Sequence, residues 1–118
     1  MDRTKKDISL LEHIIEHCSE LAETRKLFGD NYEEFQKNKP YFKAVTMDLF
    51  QIGELANHLS EKLTEKYSDI AWVRIIGLRN IIAHGYGVLE ISKIWEVCHK
   101  FAPELQKRCQ EIIKEIEK

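Results

Sequence analysis

The residues best suited to chemistry lie in one short stretch near the middle of the chain. Arg79 and Asn80 are adjacent, His84 lies four positions after Asn80, and Tyr86 follows between two glycines. Arginine provides a permanent cation whose shape suits phosphate oxygens, and histidine can transfer protons near neutral pH. Such a set could cleave a phosphodiester without a metal ion.

The spacing of these residues bears on how a site could be assembled. Each residue of an ideal helix turns by about 100°, so Asn80 and His84 share a face while Arg79 lies about 140° from His84. The arginine side chain is long, and His84 is expected at a helix end, where the geometry loosens. A second copy of the helix in a symmetric dimer would also bring the groups into one cleft. The spacing therefore favours a site at a two-fold interface.

Each of these residues also has a purely structural interpretation. Arg79 could form an ion pair with Glu54 on a neighbouring helix. His84 could interact with the carbonyl end of its own helix. Tyr86 either exposes its hydroxyl between the small glycines or packs down on the helices beneath it. Residue types alone leave these alternatives open.

A second pattern suggests zinc. His13 and His17 match the H-x-x-E-H spacing of inverted zinc peptidases. The apolar stripe predicted for their helix is centred on Leu11, Ile15, Cys18 and Ala22. Both histidines would then lie on the solvated face, and a catalytic zinc needs a third ligand and a walled cavity. We therefore expect no metal site and no cofactor.

Size and composition limit the architecture. The 118 residues are 43% apolar and 32% charged, which predicts one soluble domain spanning residues 1–118. Five glycines and two prolines leave few breaks and favour long helices over a many-turned β fold. The net charge of −2 does not suggest a broadly basic surface, so any contact with RNA would need a local patch.

The cysteines and the N-terminal residues bear on location. Cys18, Cys98 and Cys109 are odd in number and form no C-x-x-C pair, so they are expected to be buried, reduced side chains. The first residues lack an apolar signal core, and no apolar run approaches membrane-spanning length. We expect a cytoplasmic protein.

The periodicity of apolar residues predicts an all-α fold. A first helix is expected from about 4 to 27, a short turn begins at Asn31, and Pro40 suits the first turn of the next helix. One long segment should then run over 42–63, with Gly53 inside it at a close approach to another helix. Ser68 or Asp69 is expected to cap the following helix.

That following helix, over about 71–84, is apolar around most of its circumference and is therefore predicted to be central and buried. Gly85 should end it. A last helix should begin between Glu90 and Ser92, and Pro103 should kink or split it. Together these segments predict an antiparallel bundle of four to five helices.

The central motif resembles the R-x4-H-x-Y signature of the HepT toxins in the HEPN superfamily. Arg79, His84 and Tyr86 occupy its three fixed positions, and Asn80 follows the arginine. The similarity continues in blocks at 52–54, 77–80, 95–96 and 103–105, which lie within a stretch of 54 of the 118 residues.

The resemblance implies a function. Members of that family are α-helical homodimers whose two motifs line a shared cleft, and they act as metal-independent endoribonuclease toxins in type II/VII-like toxin–antitoxin pairs. The usual partner is an MNT-type nucleotidyltransferase antitoxin that silences the toxin by adding AMP to the motif tyrosine. The resemblance assigns Arg79 and His84 as the catalytic pair, Asn80 as an orienting residue and Tyr86 as the AMPylation site.

Two other functions remain open from the sequence. The chain could be a non-catalytic HEPN module that binds nucleotide or presents a substrate to a nucleotidyltransferase. It could also be a helical interaction protein without a catalytic site. The intact set of Arg79, Asn80 and His84 favours the endoribonuclease, because neither alternative needs it.

Overall fold

The computed structural model describes residues 3–118, except for the side chain of Tyr86. It is 86% helical, and the described residues contain no strand. The predicted all-α class is therefore confirmed.

The described chain forms seven α-helices joined by short connections. They are α1 (Arg3–Phe28), α2 (Tyr32–Lys37), α3 (Lys39–Asn57), α4 (Glu61–Lys66), α5 (Trp72–Gly85), α6 (Ile91–Glu96) and α7 (Ala102–Ile116). A 3₁₀ turn (Tyr86–Val88) follows α5, and a π-helical turn (Val97–Phe101) joins α6 to α7. Four long helical segments and two short helices, α2 and α4, thus make up the bundle.

The core lies where α1 packs on both α3 and α7. The side chains that fill it are buried on all three helices: Leu11, Ile14, Cys18 and Leu21 from α1; Val45, Leu49 and Ile52 from α3; Leu105, Cys109 and Ile112 from α7. The three cysteines are buried free thiols, as predicted. Burial raises the pKa of the Cys18 thiol to about 12, so this thiol stays protonated at neutral pH. None of the helices described is long and apolar enough to cross a membrane.

The starts of α2 and α3 follow the sequence signals. The Asn31 side chain accepts a hydrogen bond from the backbone N–H of Glu34 at 2.9 Å, and Pro40 lies in the first turn of α3. Asn38 caps α3 by accepting a bond from the Tyr41 N–H at 3.1 Å. These caps satisfy backbone donors that have no partner within the helix.

The prediction of one long segment over 42–63 was wrong. Helix α3 ends at Asn57, and Ser60 caps the separate helix α4. The buried Asp7 carboxylate on α1 accepts bonds from the Ser60 N–H at 3.0 Å and the Ser60 hydroxyl at 2.5 Å. The chain is therefore held at this break by a contact between distant residues, which local periodicity cannot reveal.

Other helix ends also depend on tertiary contacts. Helix α5 begins at Trp72, and neither Ser68 nor Asp69 caps it. Instead Asp69 pairs with Arg108 on α7 at 2.7 Å, and this hydrogen bond lowers the pKa of the Asp69 carboxyl. Helix α5 ends at Gly85, as predicted, although the φ of Gly85 is not positive and the backbone continues into the 3₁₀ turn. The interruption predicted at Pro103 is confirmed and takes the form of the π-helical turn.

The buried face of α1 is rotated from its predicted position. Ile14 and Leu21 are fully buried, whereas Ala22 is exposed and Ile15 only half-buried. The face is therefore centred about 50° away from the predicted stripe. His13 is exposed as expected, but the prediction that His17 lies on the solvated side was wrong, since its imidazole is half-buried against α3.

Candidate active site

Helix α5 carries Arg79, Asn80 and His84 and packs against α3. The two backbones approach closely at Gly53, as predicted from this interior glycine. A Cβ at residue 53 would lie 2.4 Å from the Arg79 Cβ and 3.0 Å from the Ile75 carbonyl oxygen. Real atoms cannot approach that closely, so only glycine lets α5 hold its position on α3.

Replacing Gly53 with alanine is therefore expected to destabilise the protein. The clash with α5 should cost roughly 1–3 kcal/mol, against a gain of about 1 kcal/mol in helix propensity. Urea unfolding measures the difference. Gly87→Ala is the matched control, because a Cβ there meets no atom within 4 Å. Equal stability of the two variants would show that the close approach at Gly53 is not needed.

The guanidinium of Arg79 has two side-chain partners. Its Nε donates to Glu54 on α3, and its Nη1 donates to the Asn80 Oδ1 at 2.7 Å. The ion pair with Glu54, which the purely structural interpretation of Arg79 predicted, is thus present. The Arg79 side chain nevertheless keeps about 30% of its surface exposed, so part of this cation is available to a ligand.

Asn80 holds the guanidinium toward the exposed side of α5. On the helix it lies about 100° from Arg79 and about 40° from His84, so it is placed between them. Its hydrogen bond to Arg79 and the Glu54 ion pair fix the arginine on both sides. No hydrogen bond joins Arg79 to His84 within the described chain. The guanidinium of Arg79 is therefore held in place, but it is not hydrogen-bonded to the proposed catalytic histidine, His84, of the same described chain.

His84 lies in the last turn of α5 and is exposed. Within the described part of the chain its imidazole makes no hydrogen bond or ion pair. Asn80 is exposed beside it. The predicted side chains are thus on one helix, with Asn80 and His84 facing outward.

The prediction that α5 is the most buried helix was wrong for the single chain. Trp72 and Ile75 are buried, but Val73 is 84% exposed and Ile81 is 53% exposed. An apolar side chain exposed to this extent on an apolar helix indicates a surface that another molecule can cover.

The charge around α5 differs from that of the whole chain. Residues 70–89 contain no aspartate or glutamate, while Arg74, Arg79 and His84 all lie in this stretch. Arg74 is exposed on α5. Helix α5 itself thus carries no negative side chain, although Glu54 on α3 pairs with Arg79.

The family of this chain follows from its similarity to known proteins. The model of the family described as "Ribonuclease HepT-like" matches residues 9–112. The chain belongs to the HepT-like ribonuclease family.

Relatives of this HepT-like chain carry ribonuclease names. A protein named "Putative RNase" from Caldanaerobacter subterraneus subsp. tengcongensis is 36% identical over 103 residues, which are 87% of this chain and 90% of the relative. Another "Putative RNase", from Methanocaldococcus jannaschii, is 32% identical over 114 residues, which are 96% of this chain and 93% of the relative. No solved structure matches. Family and relatives together support a ribonuclease role.

Two features of this HepT-like chain lie at the edge of the site. From the sequence, Glu54 was considered as the partner of Arg79 in a purely structural ion pair. In the structure it follows Gly53 on α3 and accepts a hydrogen bond from the Arg79 guanidinium at the candidate site. The sequence feature that indicates this contact is an interior glycine, Gly53, followed directly by a carboxylate, Glu54. The Tyr86 backbone begins the 3₁₀ turn directly after α5, but the predicted exposure of its hydroxyl concerns a side chain outside the described part of the structure.

Proposed function

We propose that the protein is a metal-independent endoribonuclease whose active site is assembled from two chains. The observation that carries this proposal is the arrangement of Arg79. Its guanidinium is fixed by Glu54 and Asn80 on a helix without carboxylates, while His84 is exposed and unbonded to the described chain. A fixed cation can stabilise the charge that develops on a phosphodiester, and a free imidazole can transfer the protons of its cleavage.

The reaction proceeds by internal attack in the RNA. His84 accepts the proton of the 2′-OH as the 2′-oxygen bonds to the adjacent phosphorus, and the bond from that phosphorus to the 5′-oxygen of the next nucleotide breaks. The leaving 5′-oxygen takes up a proton, so the products are a 2′,3′-cyclic phosphate and a 5′-OH. Arg79 donates hydrogen bonds to the phosphoryl oxygens and stabilises the charge that develops there. Asn80 keeps the guanidinium on the exposed side, so no reorientation is needed as charge develops.

The test uses purified protein that carries no modification. It is expected to cleave single-stranded RNA in buffer containing EDTA, because the proposed steps use only the guanidinium of Arg79 and the imidazole of His84. Gel analysis of an end-labelled RNA shows the products, and a 2′-deoxy nucleotide at the cleaved position should block the reaction there. Cleavage that stops with EDTA and resumes with added Mg²⁺ contradicts metal independence. Nucleotide binding without cleavage would favour the non-catalytic module.

The assembly is a two-fold dimer formed through α5. Exposed or partly exposed positions recur along this helix at Val73, Gly77, Asn80 and His84, in steps of four, three and four. A Cβ on Gly77 would meet no atom of the described chain within 4 Å. An interior glycine lowers helix stability by about 1 kcal/mol relative to alanine. The described chain gives no steric reason for a glycine at this position. Close contact with a second α5 supplies that reason.

Enlarging Gly77 should separate the dimer without unfolding the chain. Gly77→Gln favours helix formation, and the open space around the site accepts the side chain in the monomer. Sedimentation at micromolar concentration is expected to show a dimer for the wild type and a monomer for this variant. Ala22→Gln, which changes an exposed position on α1, should remain dimeric. A dimeric Gly77→Gln protein would place the contact elsewhere.

In the dimer, the Arg79 of one subunit acts with the His84 of the other. Arg79 is anchored toward α3 by Glu54, and within one ideal helix it starts about 140° from His84. A facing helix brings a second imidazole across from each guanidinium. This arrangement favours the shared cleft over a site within one chain.

The biological setting that follows from the family resemblance is a toxin–antitoxin pair acting in the cytoplasm. An MNT-type nucleotidyltransferase antitoxin would add AMP to Tyr86, two residues beyond His84. The added phosphate and base would repel and obstruct a polyanionic substrate at the cleft.

A further inference from the structure

A cluster of metal-ligating side chains lies on the other side of α3. His17 and Glu20 project from α1 and meet Asp48 from α3. The His17 Nδ1 is 2.9 Å from the Asp48 Oδ1 and 3.3 Å from the Glu20 Oε2. One ligating atom from each of the three residues lies within 4.8 Å of the others. The ribonuclease mechanism uses none of them.

The fold brings these groups together in two ways. His17 and Glu20 are three positions apart, so they are neighbours on the surface of α1. The rotated buried face of α1 turns His17 toward α3, where Asp48 is only 9% exposed. The third ligand that the sequence did not reveal therefore comes from another helix, while His13 and Glu16 of the H-x-x-E-H pattern stay exposed.

The electrostatics of the cluster favour a cation. Two carboxylates converge on one imidazole, and in the described chain no lysine or arginine forms an ion pair with either of them. Two adjacent carboxylates without a cation are costly when one of them is buried.

We propose that His17, Glu20 and Asp48 form a Zn²⁺ site that links α1 to α3. Tetrahedral zinc with ligands at about 2.0–2.2 Å requires ligand atoms about 3.3 Å apart, close to the separations of 2.9 and 3.3 Å seen here. On binding, the metal replaces the proton on the His17 Nδ1, which passes to solvent. One imidazole with two carboxylates suits zinc better than Mg²⁺, which prefers six oxygen ligands.

The fourth ligand is water. Glu20 and Asp48 line a surface cleft of about 760 Å³ that also includes Glu23 and Thr24, so solvent reaches the metal position. This site is separate from the ribonuclease motif. Asp48 and Glu54 lie six residues apart on α3, which separates them by about 9 Å along the axis and about 120° around it.

Zinc binding to protein stripped of metal by chelation and dialysis tests the proposal. Titration calorimetry is expected to show one zinc per chain, and thermal unfolding should shift upward by roughly 5–10 °C at saturating zinc, with no shift from Mg²⁺. Metal analysis after gel filtration checks the stoichiometry.

Variants decide which residues bind. Glu20→Gln changes an exposed side chain, so it should fold normally and weaken zinc binding at least 10-fold. His17→Ala and Asp48→Asn should abolish it, with circular dichroism confirming their helicity. His13→Ala is the matched control and should bind zinc like the wild type. Absence of binding in the wild type, or wild-type affinity in Glu20→Gln and His17→Ala, overturns the proposal and leaves the cluster as a hydrogen-bonded network.

Discussion

Replacing His84 with alanine is expected to lower RNA cleavage by roughly 10²–10⁴-fold, the usual contribution of a general acid or base. The imidazole is exposed and makes no hydrogen bond with the described chain, so its removal leaves no buried group without a partner. The loss should therefore appear in kcat with no change in circular dichroism or in urea unfolding. Single-turnover cleavage of a labelled RNA measures it.

A matched control for this variant is His13→Ala. His13 is also an exposed helical histidine, but it lies on α1, and among the described residues its ring bonds only to the Ser9 carbonyl oxygen. It should retain full cleavage. Equal activity of the two variants would show that a general histidine effect, or a contaminating nuclease, accounts for cleavage and that His84 is not catalytic.

The second large effect concerns AMP on Tyr86. Incubation with an MNT-type nucleotidyltransferase and ATP is expected to add one or more AMP groups to the peptide containing Tyr86 and to abolish cleavage. Each AMP brings a negative phosphate and a base next to the end of α5, where Arg79 and His84 would bind the RNA backbone. Mass spectrometry locates the adduct, and the cleavage assay measures the loss.

Phenylalanine at residue 86 separates modification from occlusion. Tyr86→Phe lacks the acceptor oxygen and should remain active after incubation with enzyme and ATP. Tyr67→Phe is a suitable control, since Tyr67 is buried in the core and should not be reached by the transferase. Inhibition of Tyr86→Phe to the same extent as the wild type would mean that the partner acts by covering the cleft. An adduct on another residue would contradict the assignment.

The sequence predicted the fold well where the type of a single residue is itself the signal. The Asn31 cap, the start at Pro40 and the close approach at Gly53 each follow from the residue itself. The break between α3 and α4 at Ser60 was not predicted, because the carboxylate that bonds to Ser60 belongs to Asp7, 53 residues away. The direction of the α1 face was also missed, since Ile14 and Ile15 are equally apolar and only packing against α3 and α7 selects one of them.

The candidate site was predictable in composition but not in arrangement. The sequence indicated Arg79, Asn80 and His84 and suggested Glu54 as a possible partner of the arginine. It could not show that Arg79 bonds to Glu54 and Asn80 at once, because side-chain direction depends on how α5 sits on α3. The apolar surface of α5 suggested a buried helix, whereas its exposed side in the single chain is the side assigned to a second subunit.

Mixing two inactive variants tests the shared site most directly. Arg79→Ala and His84→Ala, each carrying a different affinity tag, are unfolded together and refolded in equal amounts. Random pairing gives about half mixed dimers, and each mixed dimer would hold one intact pair of Arg79 from one subunit and His84 from the other. The mixture is expected to recover about one quarter of the wild-type cleavage, and the doubly tagged dimers should carry this activity. Mixed dimers that form but stay as inactive as the separate variants would contradict a site shared between subunits.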